Sequence, residues 1–413
     1  MITNYLFPMV TSKFSFGRSA RRIADSRGWH APHGQGSAGM GNPAERPLRP
    51  YQARPALVRR GAAKCAHEDR RRGGATIARA RGQPPLRLDS QRLPLASSLR
   101  YDSAMSVPAE ANLLFLGLCT MKGVGFDTLR KIGGIAGIGR QLERRGAEEL
   151  EISPGRLLSG PDYVSVRGAG IQLFEELDLQ GISLYGEDDA GYPSSFAQMS
   201  ESLRPYWFFA KGEIYLLEAP GIAVVGTRSP SDVGEFLTRY AASVVGEIGC
   251  PLVSGLAAGV DATAHSWSVK AFSPNISILG TGIRKTYPAK HDQLADAIVH
   301  AGGLLLSEYL PDAPPNAESF VWRNRLQAAL SACVVAPEWK RTSGTAHTIR
   351  FAKRLGRPTI NLCLDGLLLP DDHGESDVTF DVPSQNTEFT DYLSRTLAST
   401  TDAPKVTQQR LFG

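Results

Sequence analysis

The fold is decided by residues 221–265, which read GIAVVGTRSPSDVGEFLTRYAASVVGEIGCPLVSGLAAGVDATAH. A short apolar run at Ile222–Val225 precedes a helix-like stretch, Asp232–Ile248, and a second apolar run follows at Leu252–Val253. Short apolar runs separated by helices are typical of buried parallel strands joined by crossover helices. The stretch therefore predicts the first β/α/β unit of an α/β domain.

The same alternation continues to residue 363. Four further apolar runs and one helical stretch follow, at Ile276–Leu279, Leu304–Leu306, Cys333–Ala336, Thr359–Leu362 and, for the helix, Ala346–Leu355. Six strands with intervening helices predict a Rossmann-like, doubly wound, mostly parallel sheet over residues 221–363. Ligands of such sheets bind at the carboxyl ends of the strands, at the point where the strand order reverses.

Small residues and arginines follow several of these predicted strands. After the first strand, Gly226 permits a tight turn, and Arg228 offers a charged guanidinium with several N–H donors. The next helix is expected to point its N-terminus at an anion. Converging turns of this kind predict a phosphate-binding crevice. The candidate DNA- or phosphate-binding residues are Gly226, Arg228, Ser229, Ser254, Gly255, Gly259, Gly280, Gly282, Lys290, Arg323, Asn324, Arg325, Ser343, Gly344 and Thr345.

No enzyme chemistry is predicted from these residues. The string G-x-G-x-x-G does not occur after the first predicted strand or elsewhere in residues 221–363, which disfavours a dinucleotide, and we expect neither a cofactor nor a metal. Asp261 and His265 lie one turn apart on a predicted helix. Asp261 is either a functional group or a helix cap, and His265 is either a functional group or a histidine packed in the core. No nucleophile–base or paired-carboxylate spacing is present.

Charge is divided unevenly along the 413 residues. Residues 1–104 hold 19 of the 46 Lys and Arg and 6 of the 41 Asp and Glu, whereas residues 105–413 hold the remaining 27 basic and 35 acidic residues. DNA contact by this acidic region requires a local basic patch.

No apolar run approaches the roughly 20 residues of a membrane helix, so we expect no membrane partner. The five cysteines are far apart, which fits a reducing cytoplasm.

Residues 1–104 are predicted to be a disordered basic extension, since Arg, Gly, Pro and Ser occur there without periodicity. Three interpretations stay open. The segment is a basic nucleic-acid-binding tail, an organelle transit peptide, or sequence that is not native protein and resembles translated GC-rich non-coding DNA. Met105 begins a normal amphipathic segment.

Two further regions complete the expected organisation before the sheet. Residues 105–180 predict a small helical domain with two glycine turns, at Lys122–Gly125 and Ala136–Gly139, as in a helix-hairpin-helix or SAM-like domain. Such turns can direct backbone N–H groups at a phosphate, or they can simply join the helices of an accessory domain. Residues 181–220 form an aromatic lead-in that is expected to pack as a strand and cover.

A series of strings between about Tyr192 and Leu362 resembles the DNA-processing protein A family (DprA/Smf). The strings are V-V-G-T-R-S at 224–229, S-G-L-A-A-G-V-D-A-T-A-H at 254–265, G-T-G-I at 280–283 with Y-P at 287–288, S-E at 307–308, R-N-R at 323–325 and S-G-T at 343–345. Their order makes the resemblance specific.

The resemblance implies a protein that binds single-stranded DNA, protects it, and helps load RecA recombinase during natural transformation and DNA recombination, without catalysing a reaction. It implies Arg228, Lys290, Arg323 and Arg325 as phosphate contacts, and dimerisation through the Rossmann-like domain. One of the two arginines at 323 and 325 has a structural alternative, an ion pair with Glu308 or Asp261.

Two other functions compete with DNA binding. The fold also resembles nucleotide hydrolases of the lonely-guy type, but the segment from Glu338 to Thr348 lacks their leading glycine pair and trailing glutamate. The second alternative is a nucleotide-ligand sensor.

Residues 364–413 are predicted to be a polar tail that ends in a short peptide motif. Gln408, Leu411 and Phe412 match the Q-x-x-L-F pattern that docks on the bacterial sliding clamp. The other interpretation is that Leu411 and Phe412 pack back on the Rossmann-like domain.

Overall fold

The computed structural model describes residues 109–146 and 148–401. The helices of eight or more residues are α1 (Glu110–Thr120), α3 (Gly134–Arg145), α4 (Gly160–Leu179), α6 (Asp232–Ile248), α7 (Val260–Lys270), α8 (Asp292–His300), α9 (Ala317–Ala329), α10 (Thr345–Arg354) and α11 (Asn386–Thr401). The shorter ones are α2 (Phe126–Ile132) and α5 (Ser194–Ala197), with 3₁₀ turns at Ile214–Leu217 and Ala289–His291. The strands are β1 (Glu149–Ser153), β2 (Arg156–Ser159), β3 (Ile182–Gly186), β4 (Trp207–Gly212), β5 (Gly221–Val224), β6 (Leu252–Ser254), β7 (Asn275–Ile278), β8 (Leu304–Ser307), β9 (Ser331–Ala336), β10 (Thr359–Leu364) and β11 (Val378–Val382).

Nine strands form one sheet in the order β11-β10-β9-β5-β6-β7-β8-β4-β3. The seven strands from β11 to β8 are parallel, and β4 and β3 add an antiparallel edge. The chain runs outward from β5 to β8 and then returns to place β9 beside β5. The strand order therefore reverses between β5 and β9, and the prediction of a Rossmann-like, doubly wound sheet is confirmed.

Alternate residues of the central strands face two different helical layers. Ile222 and Val224 of β5 pack with α6 and α11 in one apolar core, whereas Ala223 and Val225 pack with α9 and α10 in another. Because side chains alternate across a strand, β5 is buried on both faces, as its continuous apolar sequence predicts.

The region before residue 181 is helical, with one element that the sequence did not predict. Helices α1 and α4 cross where Gly117 and Gly170 face the partner backbone; a Cβ on Gly170 would lie 1.8 Å from the carbonyl oxygen of Leu113. An antiparallel hairpin, β1–β2, interrupts the helices. The expected glycine turn at 136–139 is wrong, because those residues lie inside α3, whereas residues 122–125 do form a turn between α1 and α2.

The lead-in at 181–220 is part of the main sheet. Strand β4 pairs antiparallel with β8, and β3 pairs with β4, so the sheet begins at Ile182. Trp207 and Phe209 of β4 are buried in the same apolar core as the helical region. The aromatic edge therefore joins the helices to the sheet.

The prediction of a polar tail from residue 364 is wrong as far as Thr401. Strand β11 extends the parallel sheet, and α11 packs on it through Phe389 and Leu393, which are both fully buried. The segment predicted to be disordered at 1–104 and the motif residues Gln408, Leu411 and Phe412 lie outside the described residues. Among the described residues, no helix is long and apolar enough to cross a membrane.

Candidate nucleic-acid interface

A crevice of about 640 Å³ opens where the strand order reverses, between the carboxyl ends of β5 and β9. Seven of the predicted binding residues line it, namely Gly226, Arg228, Arg323, Asn324, Ser343, Gly344 and Thr345. The other lining residues are Val225, Thr227, Ala257, Asp261, Tyr287, Pro315, Asn316, Ala317, Phe320, Val321, Gln327 and Thr348. The position agrees with the rule for ligand sites in open α/β sheets.

The N-terminus of α10 forms one wall of the crevice. No side chain caps this helix, and its N-cap residue, Gly344, is exposed. Within the described chain, the backbone N–H groups of Gly344 and Thr345 donate to no backbone carbonyl. Asn324 on α9 donates to the carbonyl of Gly344 at 3.4 Å, which links the two walls. Free amides at a helix N-terminus favour an anion.

The N-terminus of α6, in contrast, is already occupied by the chain itself. Ser231 accepts from the N–H of Gly234, and its own hydroxyl donates to Glu338 at 2.6 Å. The expectation that the helix after Gly226 binds an anion is therefore corrected, because the Glu338 carboxylate stands at that helix end. Of these two helix N-termini, the one without a side-chain cap is that of α10.

Arg323 lies in the floor of the crevice. Its side chain is 4% exposed and donates from Nη2 to the carbonyl of Gly255 at 3.0 Å. Gly255 has to be glycine here, since a Cβ would lie 1.5 Å from Nη1 of Arg323. The Nε of Arg323 and the Nε2 of Gln327 are buried and have no hydrogen-bond partner in the described part of the chain. Unsatisfied buried donors that line a cavity suit a ligand with acceptor oxygens.

Asp261 and His265 hold the loop and strand behind the crevice. Asp261 accepts from the N–H of Gly255 at 3.2 Å, so it pins the loop before α7 and does not cap its own helix. Burial raises the pKa of Asp261, and the nearby Arg323 opposes the shift. Nδ1 of His265 bonds Oδ1 of Asn275 at 2.6 Å, and burial lowers the pKa of His265 to about 4, so this imidazole is neutral at pH 7.

The outer rim combines a cation with two aromatic rings. The Arg228 guanidinium lies 5.8 Å from the ring centroid of Phe320, and the rings of Phe320 and Tyr287 are 5.2 Å apart. Gly280 makes room for this wall, because a Cβ there would lie 2.4 Å from Phe320. A cation beside exposed aromatic faces can hold a phosphate and an unstacked base together.

Several other predicted residues support the crevice without lining it. Ser254 is buried and donates to the carbonyl of Val224 at 2.7 Å. Gly259, at φ +78°, lets the backbone pass Thr227 and Arg228, and Gly282 lies against the backbone of the 310–311 loop. Ser229 and Lys290 are exposed on the surface, outside the residues that line the crevice.

Arg325 is not available to DNA. It is fully buried, and both its Nη atoms donate to the Glu308 carboxylate at 2.5 Å. Nε donates to the carbonyl of Leu203 at 2.6 Å, and the guanidinium lies 4.1 Å from the Trp322 ring centroid. The phosphate-contact assignment is corrected to the structural alternative, an ion pair with Glu308.

Phe320 and Gln327 were missed by the sequence reasoning, although a signal for them exists. Together with Arg323 they occupy positions i, i+3 and i+7 of α9, which share one face of a helix. The helical spacing from Arg323 is the sequence signal that identifies Phe320 and Gln327.

Comparison with known proteins gives a consistent family. The family model for DNA recombination-mediator protein A matches residues 183–373. The chain is 34% identical over 195 residues to Protein Smf of Synechocystis, covering 46% of this chain and 48% of that protein, and 33% identical over 179 residues to DNA processing protein DprA of Bacillus subtilis, covering 43% and 59%. A crystal structure of DprA from Streptococcus pneumoniae aligns with a TM-score of 0.47 and 26% identity over 63% of this chain and 88% of that chain.

The match is concentrated in the sheet and the crevice. The chain spans about half the length of the curated relatives it matches. The matched residues include β5 to β9 and all the predicted strings around the crevice. Residues 183–373 of this chain therefore resemble the DNA recombination-mediator protein A family, and the curated relatives that the chain matches are named DprA and Smf.

Proposed function

We propose that this chain binds single-stranded DNA in the crevice between β5 and β9 and acts in DNA recombination without catalysing a reaction. The observation that carries the proposal is the crevice itself. Arg228 at its rim, Arg323 in its floor and the uncapped end of α10 surround a single cavity. The region 105–413, whose net charge is negative, would thus carry a local site for a phosphate.

The shape of the crevice favours a single strand over a duplex. Its aromatic wall of Tyr287 and Phe320 offers ring faces, which stack on bases that are not paired within a helix. Contacts to phosphates and to the faces of bases carry no direct sequence information, so the binding is expected to tolerate different sequences.

Similarity to the DNA recombination-mediator protein A family over residues 183–373 supports the wider role. As a recombination mediator the chain would protect incoming single-stranded DNA and help load RecA recombinase in natural transformation, in the cytoplasm. Dimerisation through the Rossmann-like domain and docking of Gln408, Leu411 and Phe412 on a sliding clamp belong to the same proposal.

The alternative is a nucleotide site, either of a hydrolase or of a sensor. The carboxylates near the crevice argue against hydrolysis, because each is engaged within the protein. Glu338 accepts a hydrogen bond from Ser231, and Asp261, which lines the crevice but is 5% exposed, accepts one from the N–H of Gly255. General acid–base work needs a carboxyl group that reaches the substrate. Release of free base from nucleoside monophosphates by the purified protein, abolished in Asp261→Ala, would establish the hydrolase.

Fluorescence anisotropy with labelled single-stranded and duplex oligonucleotides tests the proposal. We expect tighter binding of the single strand, and Arg228→Ala should weaken it and lower the slope of log K against log salt by about 0.7. Arg395→Ala on α11, also exposed, is the charge-matched control and should bind like the wild type. Equal affinity of Arg228→Ala and Arg395→Ala at every salt concentration would refute the crevice as the binding site.

A further inference from the structure

A second cavity continues from the crevice along α9. This groove, of about 1310 Å³, lies between the α1–α2 turn, the 309–314 segment and the first turns of α9. Asn316, Ala317 and Val321 line both the groove and the crevice, so the two cavities meet at these residues. A strand held in the crevice would reach the groove without leaving the surface.

The groove has an aromatic interior. Phe126 of α2 lies 5.1 Å from Tyr309 between ring centroids, and both residues line the groove with Trp322 of α9. Phe126 and Trp322 are partly exposed, whereas Tyr309 is buried and the indole Nε1 of Trp322 is covered by protein. The exposed parts of the first two rings offer apolar surface to a flat ligand.

The charges of the groove favour bases over phosphates. Arg284 is held between Asp312 and Glu176, and Arg130 donates to the carbonyl of Arg204 and lies 4.5 Å from the Tyr206 ring centroid. Both cations that line the groove are therefore engaged within the protein. The exposed carboxylates of Asp127 and Glu318 repel phosphates, but they can accept hydrogen bonds from the exocyclic amino groups of bases.

We propose that this groove binds the bases of the nucleotides next to those held in the crevice, with their phosphates directed to solvent. The helical region would then form part of the DNA-binding surface, through the turn at 122–125 and α2. The inference rests on the proposed function of the crevice, and it adds a site that the crevice does not contain.

Binding of a 12-nucleotide deoxycytidine oligomer by the full chain tests the proposal, because cytosine carries an exocyclic amino group that thymine lacks. Thr128 of α2 is half-buried and lines only the groove, so Thr128→Glu places a negative charge there without removing a core contact. Thr379→Glu on the exposed side of β11, at the far edge of the sheet, is the charge-matched control. We expect Thr128→Glu to bind at least fivefold more weakly than Thr379→Glu, because its longer side chain would occupy the place of a base and one stacked base contributes about five- to 160-fold.

A second pair of variants tests stacking directly. Phe126→Leu keeps most of the side-chain volume but removes the ring, and it should also weaken binding severalfold while the melting temperature stays close to that of the wild type. Quenching of tryptophan fluorescence by the oligomer should decrease in Trp322→Phe.

The outcomes separate the two proposals. If Arg228→Ala weakens binding while Thr128→Glu and Phe126→Leu bind like their controls, the crevice stands and the groove assignment is overturned; a protein partner then becomes the better occupant. If the wild-type chain does not bind the oligomer, both proposals fail.

Discussion

Substitution of Arg325 by alanine distinguishes a structural role of this residue from a role in DNA binding. Its guanidinium is completely buried and makes two bonds to Glu308 and one each to the carbonyls of Leu203 and Trp322. Arg325→Ala leaves the Glu308 carboxylate, itself 1% exposed, without its counter-charge. Removing one partner of a buried ion pair costs about 3–5 kcal/mol, because the remaining charge has neither water nor a partner.

This cost should be visible in thermal unfolding. At 2–4 °C per kcal/mol for a domain of this size, Arg325→Ala should melt roughly 6–20 °C below the wild type. Arg395→Ala, an exposed arginine on α11, is the control and should melt within about 2 °C. At a temperature where both variants are folded, their affinities for single-stranded DNA should agree within twofold. A variant Arg325→Ala that keeps its melting temperature but loses DNA binding would refute the assignment of Arg325 to the core.

Gly255→Ala should weaken single-strand binding severalfold in anisotropy, because its Cβ would displace the Arg323 guanidinium; unchanged affinity would show that Arg323 does not act from this position. The pKa of His265 is lowered by burial to about 4, below the ordinary 6.5, so the unfolded chain takes up its proton first. Stability should therefore fall as the pH drops from 6.5 to 4, by at most about 1.4 kcal/mol per pH unit, and a His265→Gln variant with the same slope in urea titrations would contradict this. Glu338→Gln should destabilise the chain by about 1 kcal/mol in the same titrations, since it removes a negative charge from the N-terminus of α6. Ending the chain at Ser384 removes Phe389 and Leu393 from the core and should cause loss of the cooperative melting transition, whereas an intact transition would show that α11 is dispensable.

The central sheet could be predicted because its strands are buried on both faces. Four of the six predicted strands are continuous apolar runs, the other two contain Ser277 or Thr359 and Asn361, and all six are present in the sheet. The edge elements were harder. In β11, Phe380 and Val382 are buried while Thr379 and Asp381 are exposed, so its sequence alternates within an acidic segment that reads as polar on average. Averaged composition hides an element whose apolar residues occupy one face.

The crevice could be located from the sequence, but not the role of each residue in it. Arg323 and Arg325 are two positions apart on α9, so their side chains point about 200° away from each other. One therefore faces the crevice and the other the core, and only the position of Glu308 decides which. Likewise, the occupation of the α6 N-terminus depends on Glu338, which is 107 residues from Ser231 in the chain. Contacts of this range have no local signature in the sequence.

Photo-cross-linking tests the central claim most directly, because it reports where the strand lies. A single-stranded oligonucleotide carrying 5-iodouracil would be bound to the full chain, irradiated, and the modified peptides identified by mass spectrometry. The crevice model predicts adducts at Tyr287 or Phe320, the aromatic pair that lines the cavity beside Arg228. Adducts confined to surfaces that line neither cavity, such as α11, would contradict it.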